Sequence, residues 1–329
     1  MSDNKSKYDT LIDTLDIDSD FEILFRNAGD GFLQVEYGYE QRLYIPDSFR
    51  MLAVNDAIKE KSIKGLIETV PGLRTNMFQF DPEVITAKEL IEEIKDSEKI
   101  FKDVSDLTVK SRLIKLPIAF EDSETKKSVE KYTSLIRPDA PNCEGGYNLK
   151  YIAQCNGVTE DEAKKMLLDT EWFNSGCGFW PGGGFFWPLD PRCALVVPKY
   201  NPPRTLTPEG AVGIGGPCVF TYTTPAGGGY QLFGRTIPTF QFAMKHPQFK
   251  DNPCLYRNAD RIKFYEVSEE EVLDIYKHVH EKTDYVYDIE EGEINVKDYI
   301  TWLNRSDIQE EVKAFKEKQA KGLESAPTL

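Results

Sequence analysis

Four residues suited to holding a carboxylate or an amide stand among glycines between positions 176 and 235: Lys199, Asn201, Arg204 and Arg235. The stretch contains GCGFWPGGGFFWPLDPR, KYNPPRTLTPEGAVGIGG and PAGGGYQLFGRT. The guanidinium groups of Arg204 and Arg235 can each offer a bidentate fork to a carboxylate. Asn201 and Gln231 can meet the edges of an amide or urea. Lys199 can anchor charge, or accept a proton if burial lowers its pKa. Glycine backbone at Gly215, Gly216, Gly228 and Gly229 can turn amides toward an anion, and Gly183 allows close approach. Phe179, Trp180, Phe185, Phe186 and Trp187 can wall such a site from water, with Asp190 at its edge. These positions are expected to converge on one pocket.

Each candidate has a plainer alternative. Arg235, directly after Gly234, can simply tie strands together. Asp190–Pro191–Arg192 reads as a turn closed by a local ion pair. The aromatic run suits a barrel plug or a subunit interface as well as a pocket wall. Cys177, flanked by glycines, is a candidate nucleophile, but the histidines at 246, 278 and 280 lie far from it in sequence. The six cysteines form no CxxC pair, so they are read as reduced, mostly buried thiols without a metal. No GxxxxGK[ST] is present, so nucleotide binding by this chain is not expected.

The elements that must position these residues are legible as periodicity and punctuation. FEILFRNAG and GFLQVEYG read as a hairpin about Gly29–Asp30–Gly31, followed by a helix opening at Pro46. IKGLIETV and TNMFQFDP read as strands, and Thr86 opens a second helix. RLIKLPIAF starts a second region with helices KKSVEKYTSLI and AKKMLLDTEWF, the latter behind a Thr159/Glu162 capping box. CALVVPKY, GAVGIGG, CVFTYTT, YQLFGRT and PTFQFAM are closely spaced β-type runs, as in a barrel or sandwich. DRIKFYEV adds a strand, Ser268 and Glu271 cap a helix, and 305–322 reads as a charged helix. The expected layout is α+β. A flexible leader spans 1–20 and a ferredoxin-like α/β domain 21–104. A β-barrel domain spans 111–267 with a helical insert at about 124–175, and a helical extension covers 268–329.

A net charge of −15 over 329 residues argues against nucleic acid and against an anionic membrane surface. The polar, acidic start reads as neither a signal nor a transit peptide, and the expected location is the cytoplasm.

The chain resembles the subunit 1 family of biotin-dependent carboxyltransferases and 5-oxoprolinases, often labelled allophanate hydrolase subunit 1. The resemblance rests on Leu116–Pro117, Gly178–Phe179–Trp180–Pro181–Gly182, Pro203–Arg204, Pro208–Glu209–Gly210 with the AVGIGG that follows, and GGYQLFGRT from Gly228. Arg137–Pro138–Asp139–Ala140–Pro141, Leu189–Asp190–Pro191–Arg192, Lys199–Tyr200–Asn201–Pro202 and the run from Arg261 to Glu271 are most similar to the carboxyltransferase part of urea carboxylase. The resemblance implies a cyclophilin-like barrel, a partner subunit 2 sharing the active site, and a separate biotin carboxylase and biotin carrier. It implies carboxybiotin on that carrier and ATP used by a partner, with urea or a small amide or guanidine compound as acceptor. The aromatic loop at 178–187 is closer to the oxoprolinase type and leaves the acceptor open. The same family includes ATP-dependent 5-oxoprolinase or lactam hydrolase subunits and a kinase-inhibiting homologue.

Overall fold

In a computed structural model, the structure describes residues 10–18, 21–38, 44–101 and 103–329. They divide into two compact units. One holds the chain up to Val109 with Ile294–Ile300, and the other Lys110–Glu293 with Thr301–Leu329.

The first unit is an antiparallel sheet carrying two helices. Its strands are β1 (Leu11–Asp18), β2 (Phe21–Asn27), β3 (Phe32–Tyr37), β4 (Leu66–Pro71) and β5 (Thr75–Phe80), in the order β1-β2-β3-β5-β4. Residues 11–18, expected within a flexible leader, are instead β1, paired along β2. Positions 1–9, 19 and 20 of that expected leader lie outside the described residues. Alternate side chains turn inward, with Ile23 and Phe25 on β2, Leu33 and Val35 on β3, and Phe78 and Phe80 on β5 buried. Helices α1 (Ile45–Glu60) and α2 (Ala87–Glu98) add Phe49, Leu52 and Ile58, and Leu90, Ile91 and Ile94. Thr86 and Glu89 cap α2 reciprocally.

The chain leaves this unit along β6 (Thr108–Lys110) and later crosses again through β17 (Glu293–Asn295) and α7 (Val296–Leu303). The second unit closes a seven-strand barrel from β7 (Leu113–Phe120), β8 (Trp172–Cys177), β9 (Gly184–Pro188), β11 (Ala211–Gly215), β12 (Cys218–Thr221), β14 (Gln231–Thr236) and β15 (Arg261–Glu266). Strand β7 makes the closure. It runs parallel to β15 over Leu113 to Ile118, and antiparallel to β14 through Ile118, Ala119 and Phe120. Its first half also receives β16 (Asp288–Glu290), so the segment expected to be a helical extension also contributes a strand. Ile114, Leu116, Ile118, Trp172, Phe186, Val212, Ile214, Phe233, Ile262 and Phe264 fill the interior.

Helices α3 (Ser123–Leu135), α4 (Leu149–Cys155) and α5 (Glu160–Asp169) lie between β7 and β8, while α6 (Glu269–Lys277) and α8 (Ser306–Ser325) follow β15. A separate ribbon pairs β10 (Arg204–Thr207) with β13 (Ala226–Gly228). Two expected strands are not strands. CALVVPKY and PTFQFAM are irregular, each holding one isolated bridge, Val197 to Gly216 and Phe240 to Cys254. Pro198 and Pro238, which lack an amide proton, stand beside those bridges. Conversely, β8 begins within an expected helix end, because Trp172 to Gly176 are all buried and show no alternation. Among the described residues no helix is long and apolar enough to cross a membrane.

The seam between β7 and β14 needs a glycine. A Cβ on Gly234 would stand 2.5 Å from the Ala119 carbonyl oxygen, which is backbone and has nowhere to go. Gly234→Ala should therefore destabilise the chain by ~1–3 kcal/mol. Urea denaturation checks this, and an unchanged midpoint would show that the seam is loose.

Candidate functional site

The second unit carries a cavity of ≈ 270 Å³ lined by Phe179, Phe185, Lys199, Phe220, Tyr222, Tyr230 and the glycines at 227–229. Strand register explains its floor. Val219 pairs with Phe186 and Phe220 with Phe185, so the first pair faces the barrel interior and the second the opposite side. There Phe185, Phe220, Tyr222 and Tyr230 form a second apolar cluster with Ala211 and Leu232. Phe220 meets Tyr222 edge-on at 5.5 Å and Tyr230 at 6.3 Å.

The loop joining β8 to β9 forms one rim. Phe179 adopts φ +62° and is 89 % exposed at the opening. The Trp180 indole donates to Thr224 Oγ1 at 2.6 Å and pins the loop to the chain after β12. Lys199 forms another rim, with Nζ 5.2 Å from the centre of the Tyr230 ring. No carboxylate side chain belongs to the lining among the described residues. Burial raises the pKa of both tyrosine hydroxyls, so they remain donors at neutral pH.

Of the expected site residues, Phe179, Phe185, Lys199, Gly228 and Gly229 come together in this cavity. Gly183 and Gly215 serve ring packing, since a Cβ on either would stand 2.5 Å from Phe220 or Tyr230. Gly216 bridges Val197. Trp180 packs half-buried beside the cluster without lining the cavity. Phe186 is in the barrel core, 4.9 Å from the Tyr256 ring. Gln231 is fully buried and spends both ends of its amide on protein, accepting from Asn142 Nδ2 at 2.9 Å and donating to Pro198 O at 2.8 Å.

Arg204 is buried behind the cavity wall. It donates to the Tyr230 carbonyl at 2.6 Å and to Thr207 Oγ1 at 3.2 Å, and stacks 4.4 Å from the Tyr200 ring centre. Its expected open fork is therefore committed to the wall. Arg235 donates to the Glu209 carbonyl at 2.9 Å and lies 4.2 Å from the Tyr276 ring centre, bridging strand to helix outside the cavity lining. Asn201 is exposed and outside the lining, its carbonyl accepting from Arg137 Nη1 at 3.0 Å. Asp190 and Arg192 form the local ion pair, at 2.6 Å, and Arg192 reaches Glu311 on α8 at 2.7 Å. Phe220, Tyr222 and Tyr230 are site residues that the motifs alone did not single out. The alternation of Phe220 and Tyr222 in CVFTYTT was the available signal, since it puts both rings on one face.

The titrating groups have measurable consequences. Burial pushes the Cys177 thiol up to about 11, against a hydrogen bond from Asn174 Nδ2 at 3.1 Å. Its alkylation near pH 7.5 should run on the order of 100-fold slower than that of an unfolded cysteine. Mass-spectrometric labelling rates decide this, and fast labelling would restore the nucleophile reading. His280 lies 3.3 Å from Glu209, whose carboxylate raises the imidazole pKa. The stabilisation is complete below the ordinary imidazole pKa of about 6.5 and is lost as pH rises through the raised value. His280→Gln should flatten the corresponding fall in Tm, and a parallel pH profile in the variant would refute the linkage.

Comparison with known proteins agrees with the motifs. The chain is 33 % identical to urea amidolyase of Saccharomyces cerevisiae over 91 % of this chain, but only 16 % of that protein. It thus spans about a sixth of that relative's length. It is 27 % identical to a 5-oxoprolinase subunit of Bacillus subtilis over 74 % of this chain and 92 % of that protein. The solved structure of Kluyveromyces lactis urea carboxylase matches 100 % of this chain and 30 % of that one, with 30 % identity and a TM-score of 0.83. The family model described as carboxyltransferase domain, subdomain C and D, matches residues 23–250, and to that family the chain belongs.

Proposed function

We propose that the chain is one part of a biotin-dependent carboxyltransferase, and that the aromatic cavity of its second unit holds the carboxylate-bearing reactant. The observation that carries this is the composition of the lining, with an ammonium and phenol hydroxyls as donors, aromatic rings as floor, and no carboxylate to repel an anion. Carboxylated biotin, when bound, supplies an activated carboxyl group on a ureido nitrogen. A lining with these donors and no carboxylate side chain fits that group. Lys199 would hold its carboxylate by charge, while Phe185 and Phe220 would exclude water and so strengthen the attraction.

The acceptor on this reading is urea or a related small amide or guanidine compound. The reaction takes place in the cytoplasm with a carboxyltransferase subunit 2, a biotin carboxylase that uses ATP, and a biotin carrier. The exposed Phe179 at the opening supports a site completed by such a partner. We also read the barrel as cyclophilin-like. The sheet of the first unit is read as a permuted ferredoxin-like arrangement, with β2 supplying the outer strand from the N-terminal side of β3-α1-β4-β5-α2. A second reading, as a component of an ATP-dependent 5-oxoprolinase or lactam hydrolase, is favoured by the near-complete coverage of the Bacillus subtilis relative.

Reconstitution with the carboxylase, the biotinylated carrier and subunit 2 separates these readings. ATP turnover should depend on urea or guanidine and on the carrier, and Lys199→Met should lower kcat/KM by roughly 10- to 100-fold through loss of one charge-assisted contact. Turnover of 5-oxoproline without the carrier would overturn the carboxyltransferase reading.

A further inference from the structure

We infer that Tyr222 is the hydrogen-bond donor that reads an anionic oxygen of the ligand in this cavity, held to that task by Arg204 acting from behind the wall. The inference rests on the cavity being the binding site and adds which side chains make it selective for an anion.

Tyr222 follows β12 directly, is 5 % exposed, and lines the cavity. Burial keeps its hydroxyl protonated, and the polar groups that oppose this effect are both donors, the Arg204 guanidinium and the Tyr230 amide. The Tyr222 hydroxyl packs over Gly228, which pairs with Arg204 in the β10–β13 ribbon, so geometry sets the phenol oxygen beside the guanidinium's strand. Among the described residues this hydroxyl donates to no protein acceptor, and Tyr222 lines the cavity, where a ligand oxygen could take its hydrogen.

Arg204 has the features of a positioning residue. It is 2 % exposed and bonds only to neutral groups, the Tyr230 carbonyl, Thr207 Oγ1 and the face of Tyr200. Its Nε has no partner, and no carboxylate among the described residues forms an ion pair with it. A buried guanidinium without a counter-ion is costly in a folded protein. Here its charge polarises the Tyr222 hydroxyl and lays a positive potential behind the cavity wall. An anion entering the cavity would supply the missing counter-charge.

Gly228 makes room for that hydroxyl, which packs where a side chain on residue 228 would stand. A Cβ there would stand 2.3 Å from the Tyr222 oxygen. Lys199 lines the same cavity as a second donor. The lining therefore offers an ammonium and phenol hydroxyls to a planar carboxylate, and no carboxylate or amide oxygen of a side chain to a neutral amide's NH₂.

The test is binding of two probes of one shape to the full chain, benzoate and neutral benzamide, followed by calorimetry or NMR titration. The wild-type chain should prefer benzoate. Tyr222→Phe, which removes a single oxygen, should reduce that preference about tenfold or more, the size of a lost hydrogen bond to a charged group. Arg204→Gln should reduce it in the same direction without contacting the probe. Gly228→Ala, which displaces the Tyr222 side chain within the lining, should weaken both probes, and Lys199→Met, a change at an exposed position, should weaken benzoate alone. If Gly228→Ala or Lys199→Met acts as expected while Tyr222→Phe keeps the full preference, the role of Tyr222 is overturned and the cavity stands. If neither Gly228→Ala nor Lys199→Met affects benzoate, or the wild-type chain binds no benzoate, both the cavity and the inference fall.

Discussion

The pairing of β7 on both flanks is the constraint on which the second unit depends. A sheet of this length has edges, and unpaired edge groups must be covered or joined. Here β7 accepts β15 in parallel and β14 in antiparallel register, and the ring closes. Closure assigns every strand an inner and an outer face, and the outer face of β9 and β12 becomes the floor of the cavity.

Glycines and aromatic rings then share the outer face between them. Rings of Phe220, Tyr222 and Tyr230 occupy the places where side chains on Gly183, Gly228 and Gly215 would stand. The glycine-rich motifs are thus mainly a packing solution that lets a compact aromatic wall form beside backbone. Around it, the buried polar groups are spent on architecture. Asn142 donates to Gln231, Asn148 donates to the Asn142 carbonyl and to Tyr200, and Arg204 holds the Tyr230 carbonyl. This explains why only some polar residues of the motif line the cavity.

Much of the fold was legible because it is local. The hairpin about Gly29–Asp30–Gly31, the helix start at Thr86, the caps at Thr159 and Ser268, and the strands GAVGIGG, CVFTYTT and YQLFGRT all appear where punctuation and periodicity place them. β1 and β8 were not legible, for different reasons. The first, LIDTLDID, is rich in acidic residues and is a strand because β2 pairs with it. The second is buried along most of its length, so its pattern shows no alternation.

The amino-acid sequence alone determined the family, because its motifs are short runs whose order and composition need no folding to be read. It also determined that glycine, aromatic and cationic residues would gather in the second half of the chain. Only the tertiary structure decided that Phe185 and not Phe186 faces the cavity, that Arg204 stands behind the wall, and that Arg235 belongs to a strand–helix bridge. The physical reason is register. In a strand, neighbouring side chains point to opposite faces, and which face becomes wall or core depends on pairing across residues far apart in sequence.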